Sequence, residues 1–291
     1  MTDTHFFTSS FSNELRFGFN RGRFDSAIST DVRDPASFGF NLPSTKAVHN
    51  MPLIALAGYT AFGTFNDSPS YRRENTYQIQ DNVTWTRGRH FIKYGAQILK
   101  NQMNIPSSDS IGEGAFLFLP EVETATTNYV PIPDAFANFL QGQFNLFTQA
   151  GGVTTRAWRF SSYNFYFQDE MRVTHSFILT LGLRYELPIP PTDTQNRVVA
   201  YRPGAQSTVH TNAPPGLLFV GDTGITRSTI QTDTNNFAPR IGFAWDPKGN
   251  GKMSLRGGYG IFYDRLIGLL PFQFGLDPPF DIIPSIPWKT T

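Results

Sequence analysis

Residues 163–187 read YNFYFQDEMRVTHSFILTLGLRYEL, and large apolar side chains recur there at every second position on both sides of one short turn. The apolar positions are Tyr163, Phe165, Phe167, Met171 and Val173 before the turn Thr174-His175-Ser176, and Phe177, Leu179, Leu181, Leu183, Tyr185 and Leu187 after it. The positions between them are mainly polar or small: Asn164, Gln168, Glu170, Arg172, Thr180, Gly182, Arg184 and Glu186. Because successive side chains of a strand point to opposite faces, this period of two predicts a hairpin with one apolar and one polar face.

The same alternation returns in two further hairpins and one single strand. One hairpin surrounds the turn Arg87-Gly88-Arg89, with apolar positions at Tyr77, Ile79, Val83, Trp85, Ile92, Tyr94, Ala96 and Ile98, interrupted only by Asp81. Another surrounds residues 247–251, with apolar positions at Phe237, Ile241, Phe243, Trp245, Met253, Leu255, Tyr259, Ile261 and Tyr263. A strand near 11–23 presents Phe11, Leu15, Phe17 and Phe19 on one face. The patterns predict strands of about 11 to 14 residues, longer than the usual 5 to 6.

Long segments rich in Pro, Gly, Asn, Ser and Thr separate the patterned stretches, at about residues 24–74, 105–156, 190–235 and 265–291. Short turns therefore alternate with long loops along the chain. Inside the second long segment, residues 133–140 predict a short helix and residues 144–149 an extra strand.

Composition narrows the class of protein. The 291 residues carry a formal net charge of +1 and no cysteine, and 16% of them are charged. The near-neutral balance argues against nucleic-acid binding, and the absence of cysteine excludes disulfides and thiolate metal sites. No run reaches the 18 or so apolar residues of a membrane helix, so a membrane could be crossed only by strands. The first residues lack the basic and apolar regions of an export signal.

Two β architectures fit one-sided alternation: a soluble antiparallel sandwich and a membrane barrel. Three features favour the barrel, namely strands long enough to cross a bilayer, short turns at one end with long loops at the other, and aromatic residues toward strand ends. The aromatic residues assigned to such membrane-interface girdles are Trp85, Tyr94, Trp158, Tyr163, Tyr185, Trp245 and Tyr263. On the polar face, Glu170 and Arg172 are predicted to lie against Arg184 and Glu186, which a wet lumen tolerates better than a dry core.

An ordered set of phrases resembles the barrel of TonB-dependent outer-membrane receptors, in particular the Oar-like group. The phrases lie at residues 13–18 (NELRFG), 88–95 (GRHFIKYG), 133–140 (PDAFANFL), 166–170 (YFQDE), 179–186 (LTLGLRYE), 236–243 (NFAPRIGF) and 256–264 (RGGYGIFYD). The resemblance implies a 22-stranded barrel around an N-terminal plug, importing a bulky nutrient with energy relayed by TonB. The chain departs from that pattern, because it offers seven to ten strands, no plug, no TonB-binding box and no terminal aromatic residue.

We therefore interpret residues 1–291 as a partial barrel from which the plug, the signal peptide and the C-terminal strands are absent. Its sheet should end in free edges near residues 11–23 and 252–264. Unpaired backbone groups at those edges cannot be satisfied in hydrocarbon, so the chain alone is expected to aggregate or to need the missing strands.

The motifs that could indicate catalysis or metal binding are better explained by structural roles. Asp222-Thr223-Gly224 matches an aspartic-protease signature but lacks the presenting strand, and residues 246–252 resemble a calcium loop but read as a hairpin turn. The histidines His5, His49, His90, His175 and His210 lack ligand spacing, and His90 and His175 fall at predicted turns. Residues 257–260 (GGYG) precede no helix and indicate close packing along a strand. We expect no catalytic activity, cofactor or metal, and no ligand-binding residue is predicted.

The leading hypothesis is a fragment of an outer-membrane TonB-dependent receptor for a bulky nutrient, with carbohydrate as a candidate. Its partners would be the lipid bilayer, the TonB system and an imported ligand, and its location the outer membrane of a Gram-negative-type bacterium. The alternatives are a soluble or surface β-rich carbohydrate-binding module, which would not partition into detergent, and a structural or adhesive outer-membrane protein.

Overall fold

The computed structural model describes residues 1–26, 34–40, 51–63, 70–106, 114–118, 135–149, 151–152, 155–228, 230–264, 279–282 and 285–287. The secondary structure is almost entirely β. In chain order the strands are β1 (Thr2–Thr8), β2 (Phe11–Ser26), β3 (Leu53–Leu56), β4 (Ser70–Arg87), β5 (His90–Pro106), β6 (Ala115–Phe118), β7 (Leu146–Thr148), β8 (Gly151–Gly152), β9 (Thr155–Arg172), β10 (Phe177–Asp193), β11 (Val199–Tyr201), β12 (Leu217–Phe219), β13 (Asn236–Trp245), β14 (Leu255–Gly260), β15 (Asp281–Ile282) and β16 (Ser285–Pro287). A 3-10 helix covers Pro35–Phe38 and helix α1 covers Ala135–Leu140.

One large sheet dominates the described residues. Its eight strands follow the order β1-β2-β4-β5-β9-β10-β13-β14, and every neighbouring pair is antiparallel. Short turns join β4 to β5, β9 to β10 and β13 to β14 at one end, whereas the long connections leave from the other end. The predicted fold class, an antiparallel meander of long strands with long loops on one side and short turns on the other, is confirmed.

The register aligns the predicted apolar positions in rows that run across the sheet. One row consists of Phe17, Ile79, Ile98, Tyr163 and Leu187, each opposite the next. The three predicted hairpins are confirmed by the antiparallel pairs β4 with β5, β9 with β10 and β13 with β14. The face that carries these rows is called the apolar face below, and the opposite one the polar face.

The main strands are longer than predicted. β2, β4, β5, β9 and β10 contain 16 to 18 residues each. The added residues lie toward the long connections, where the apolar face changes character: its rows there contain Asn75, Gln102 and Arg159. One-sided alternation ends at that level, which is why the sequence pattern stopped short of the true strand ends.

A second difference within these strands concerns which face is buried. We call residues 90–98 of β5 and 163–172 of β9 the turn half, and residues 99–106 and 155–162 the cap half. In the cap half the buried apolar side chains Met103 and Trp158 are on the polar side of the sheet and pack with Val198 from the β10–β13 connection. Trp158 is only 1% exposed, so its predicted place in an interfacial girdle is wrong.

The edges of the sheet differ in part from the prediction. Strand β1 pairs with the first part of β2, with Thr2 opposite Arg16 and Thr8 opposite Phe11, so the predicted free edge at residues 11–23 is wrong for that part. Residues 2–8 were missed because Asp3 and His5 interrupt the apolar alternation. At the other edge, β14 lies within the predicted range 252–264.

The long connections carry structure of their own. A four-stranded sheet in the order β16-β7-β6-β3 contains a parallel pair, β3 with β6, and its core of Ile54, Leu56 and Phe118 packs against Phe139 of α1. The predicted helix is confirmed at Ala135–Leu140, with residues 133–134 outside the described residues, and the predicted extra strand is β7. No helix among the described residues has the length and apolar character needed to span a bilayer.

Candidate functional site

The apolar face of the large sheet is not covered by another layer of the described residues. Its side chains keep large exposed fractions even near the centre of the sheet, as with Phe165 at 50%, Phe167 at 51% and Leu183 at 46%. A soluble sandwich would bury this face against a second sheet. The arrangement therefore needs an apolar solvent or partner on that side.

Asp81 in β4 and Asp169 in β9 interrupt the rows of apolar side chains, and each has a polar partner. Asn13 donates a hydrogen bond from Nδ2 to Oδ1 of Asp81 at 2.5 Å. The ring nitrogen Nδ1 of His90 lies 2.7 Å from Oδ2 of Asp169. These contacts reduce the number of unsatisfied polar atoms on a face that otherwise carries rings and aliphatic chains.

The polar face carries, on strands β2, β4 and β10, a hydrogen-bonded ladder of charged and amide side chains. Arg184 bonds Glu186 on the same strand at 2.5 Å, and Arg16 bonds Glu14 at 2.8 Å. Asn82 extends the ladder by donating to Glu14 at 3.1 Å. The predicted pairing of Glu170 and Arg172 with Arg184 and Glu186 is wrong, because the register places Thr180 and Ile178 opposite those two residues.

Tyr166 crosses this polar face above Gly95. A Cβ on Gly95 would lie 2.8 Å from Cε1 of the Tyr166 ring and 2.2 Å from the Asp81 carbonyl oxygen, so only glycine fits. The Tyr166 hydroxyl donates to Oδ1 of Asn82 at 2.8 Å. The Tyr166 ring thus fills the space above Gly95, which has no side chain. Packing of an aromatic ring over a strand glycine helps to fix the register of the two strands.

A cavity lies between the polar face of the sheet and the last part of the β10–β13 connection. We call it the wall pocket; its volume is about 420 Å³. Rings and prolines form part of its lining (Phe160, Pro188 and Tyr263), amides another part (Asn101, Gln231 and Asn236), and carboxylates a third (Glu186, Asp233 and Asp264). Tyr263, predicted as a girdle residue, instead lines this pocket and donates to the Phe237 carbonyl at 3.3 Å.

Asp193 and Arg197 hold the connection next to this pocket against the end of the sheet. Arg197 donates from Nε and Nη2 to the two carboxylate oxygens of Asp193 at 2.8 and 3.0 Å, and both side chains are buried. Burial alone would raise the pKa of Asp193, but hydrogen bonds from Arg197 and from the backbone N–H groups of Ala157 and Arg197 outweigh it, so the pKa lies below its usual value. The pair therefore stays charged at neutral pH.

Asp222, the first residue of the protease-like signature, organises the same connection. Its carboxylate accepts hydrogen bonds from the Ser207 hydroxyl at 2.7 Å, from the Thr208 backbone and hydroxyl at 2.7 and 2.8 Å, and from the Phe219 backbone at 2.8 Å. Burial opposes ionisation, but these donors hold the pKa of Asp222 well below its usual value. The ionised carboxylate thus joins residues 207–208 to the end of β12, a structural role.

The other motifs behave as structural elements. Asp246 accepts the backbone N–H groups of Lys248, Gly249 and Gly251, as expected for the predicted hairpin turn. Gly257 lies in β14, where a Cβ would come within 2.7 Å of the Phe243 ring, in agreement with close packing along a strand. Within the part of the chain that the structure describes, no group of His, Asp and Glu side chains could hold a metal ion.

The wall pocket, Asp193 and Arg197 were all missed by the sequence analysis. The pocket residues come from β5, β9, β10 and the segments around residues 230 and 263, and no local spacing links them. For Asp193 and Arg197 the available signal was an acid and a base four residues apart inside a segment read as loop.

An uncovered apolar face, a hydrogen-bonded polar face and a meander of long strands together describe the wall of a membrane barrel. The sequence profile described as Outer membrane beta barrel domain matches residues 1–291. The chain belongs to this family. As an outer membrane beta barrel domain, it is a protein of the outer membrane. No curated protein and no solved structure matches the chain.

Within an outer membrane beta barrel domain, the short turns conventionally lie at the periplasmic end and the long connections at the cell surface. The four-stranded sheet, the Asp193–Arg197 pair and the Asp222 network all belong to the long-connection end. The wall pocket lies at that end as well, because its lining includes the last residues of β10 and the beginning of β13.

Proposed function

We propose that this chain forms part of the barrel of a TonB-dependent outer-membrane receptor of the Oar-like group, which takes up a bulky nutrient. The observation that carries the proposal is the wall pocket, which combines rings, amides and carboxylates where the polar face meets the long connections. A receptor needs a ligand site at that level, whereas a purely structural wall does not. The phrases that resemble the Oar-like group lie mainly on the strands and α1.

The proposal assigns the two faces of the sheet to two solvents. The apolar face meets the lipid bilayer, and the polar face with its Arg, Glu, Asn and Gln side chains lines a wet lumen. Energy would come from the TonB system, and the protein would carry out no catalysis. Residues 1–291 would be one portion of a larger barrel.

Carbohydrate is the candidate nutrient. Pyranose sugars present hydroxyl groups to amides and carboxylates and a flat C–H face to aromatic rings. The wall pocket offers both kinds of surface, through Asn101 and Asn236 on one hand and Phe160 and Tyr263 on the other. The soluble carbohydrate-binding alternative is not retained, because the family places the protein in the outer membrane.

Uptake by cells tests this function. Cells that express the complete gene product should accumulate fluorescein-labelled tetrasaccharides of glucose, xylose or N-acetylglucosamine, and deletion of either the gene or TonB should abolish accumulation of the same sugar. Accumulation that is independent of both genes for every sugar would contradict the proposal. A gene deletion that impairs only attachment of cells to surfaces would favour the structural or adhesive alternative.

A further inference from the structure

We propose that the wall pocket binds a small ligand that carries a primary ammonium group on a polar body, such as an amino sugar or a lysine-containing dipeptide. The inference deepens the proposed uptake function by naming the chemistry of the ligand. The binding step itself needs neither TonB nor transport, so it can be measured separately.

The charge of the lining points to a cation. Three carboxylates line the pocket, and none of the described residues that line it is Lys, Arg or His. Arg184, which lies outside the lining, offsets the charge of Glu186 through their ion pair. Asp233, exposed on the same lining, then leaves the pocket with a negative charge that attracts a positively charged ligand.

Asp233 keeps accepting capacity for such a ligand. One of its oxygens accepts the backbone N–H of Asn235 at 3.1 Å, which fixes the side chain in place. A carboxylate has about four lone-pair sites, so an ammonium group can still bind to it. Charge-assisted hydrogen bonds of this kind are roughly twice as strong as neutral ones.

Asn236 provides an independent indication of a ligand. It is only 4% exposed and lines the pocket. Its amide makes no side-chain hydrogen bond to any residue that the structure describes, although buried amides are normally paired. Because the amide offers both a donor and an acceptor, a hydroxyl or an ammonium group of a ligand would satisfy it.

Size and shape limit the ligand to a small molecule. A volume of about 420 Å³ falls at the lower end of the range for small-molecule sites. Phe160 and Pro188 supply a flat apolar wall, and the Tyr263 ring adds a π face that attracts cations. A disaccharide or dipeptide carrying one or two ammonium groups matches this combination.

The binding test compares ligands that differ only in charge. Outer membranes that contain the complete gene product are titrated calorimetrically with the glucosamine disaccharide and with its N,N′-diacetyl form, and likewise with dilysine and its side-chain-acetylated form. The charged member of at least one pair should bind about tenfold more tightly, and the difference should shrink as salt rises. The pair that shows the difference identifies the source as sugar or peptide.

Two opposite substitutions of Gln231 test whether the negative charge of the wall pocket attracts the ligand. It lies exposed on the lining of the pocket, so substitutions there should not disturb folding. Gln231→Lys should weaken binding of the charged probe about tenfold, and Gln231→Glu should strengthen it by about threefold. Glu170→Gln, on the same polar face but near the short turns, is the control and should leave affinity unchanged.

Failure of the cation inference can be distinguished from failure of the proposed uptake function. Equal affinities within both probe pairs, or a Gln231→Lys variant that binds as tightly as the original, would overturn the cation inference while leaving uptake intact. Charge-dependent binding with no TonB-dependent accumulation of any sugar would uphold this inference and overturn the proposed uptake function.

Discussion

The turn half and the cap half of the same strands carry their large apolar side chains on opposite faces of the sheet. In the turn half of β9, Phe165 and Phe167 stay about half exposed on the apolar face, whereas in the cap half Trp158 is buried on the other face. The chain achieves this by shifting its apolar phase by one residue, from Ile98 to Leu99 in β5. A one-residue shift is enough because side chains alternate between faces.

This comparison shows that one strand can lie in two different environments along its length. On the side that we propose to face lipid, the large side chains need no protein partner. Where the strands continue past the membrane, both faces would meet water, so the β10–β13 connection folds over the polar side and provides Val198 and Val220 as packing partners. The ion pair of Asp193 and Arg197 fixes the same connection in place.

Removing the cap-half tryptophan is expected to have the largest effect. Trp158→Ala should lower the free energy of unfolding by about 3–5 kcal/mol, because a cavity opens next to Met103 and Val198. It should also expose residues 194–235 to external protease. Urea unfolding in lipid vesicles and limited proteolysis measure the two effects.

Two companion variants make that test specific. Phe167→Ala on the apolar face should lose only the transfer term, about 1.5–3 kcal/mol, and leave proteolysis unchanged, because lipid chains fill the gap. Trp158→Phe should be milder than Trp158→Ala, since the indole N–H has no acceptor among the described residues. If Phe167→Ala opened the connection to protease as much as Trp158→Ala, the distinction between the halves would fail.

Placing a charge on either face of β10 should have an effect of intermediate size. Leu183→Arg puts a guanidinium on the apolar face and should lower stability by about 2 kcal/mol, toward the lower end of values for lipid-facing positions. Thr180→Arg puts it on the polar face opposite Glu170 and should change stability by less than about 0.5 kcal/mol. Comparable losses for both variants, measured by folding into vesicles, would contradict the assignment of lipid to one face.

Local alternation predicted most of the turn half. The hairpins around residues 87–89, 174–176 and 247–251, the meander and the apolar rows follow from side-chain period and turn residues, and the structure contains them. The cap half was less predictable, because Met103, Trp158 and Val198 meet across more than 90 residues of sequence only after the sheet has formed. The prediction missed strand β1 for a related reason. The sequence of β1 lacks regular apolar alternation, and its strand conformation depends on pairing with β2.

The wall pocket lay beyond prediction for the same physical reason. Asn236 follows a polar segment and reads as the start of a strand, and nothing in its neighbours indicates a buried amide without a partner. Only the register, which places Asn236 opposite Glu186, brings it to the cavity. Features that depend on one strand and its turn were therefore predicted, whereas those that depend on several strands and a connection were not.

The smallest expected effect comes from removing one tyrosine hydroxyl, and it is compared between the two faces of the turn half. Tyr166→Phe keeps the ring over Gly95 and removes one hydrogen bond to Asn82, so stability should fall by about 1 kcal/mol. Tyr94→Phe makes the same chemical change on the apolar face, where the 40% exposed Tyr94 side chain has no hydrogen bond to the described residues, and should be neutral. Urea unfolding in vesicles of both variants measures the difference.

A larger loss for Tyr94→Phe would mean that its hydroxyl, and not that of Tyr166, is the one held by a specific partner. The polar face would then be an ordinary wet surface without the fixed side-chain ladder that Tyr166, Asn82 and Glu14 form across it.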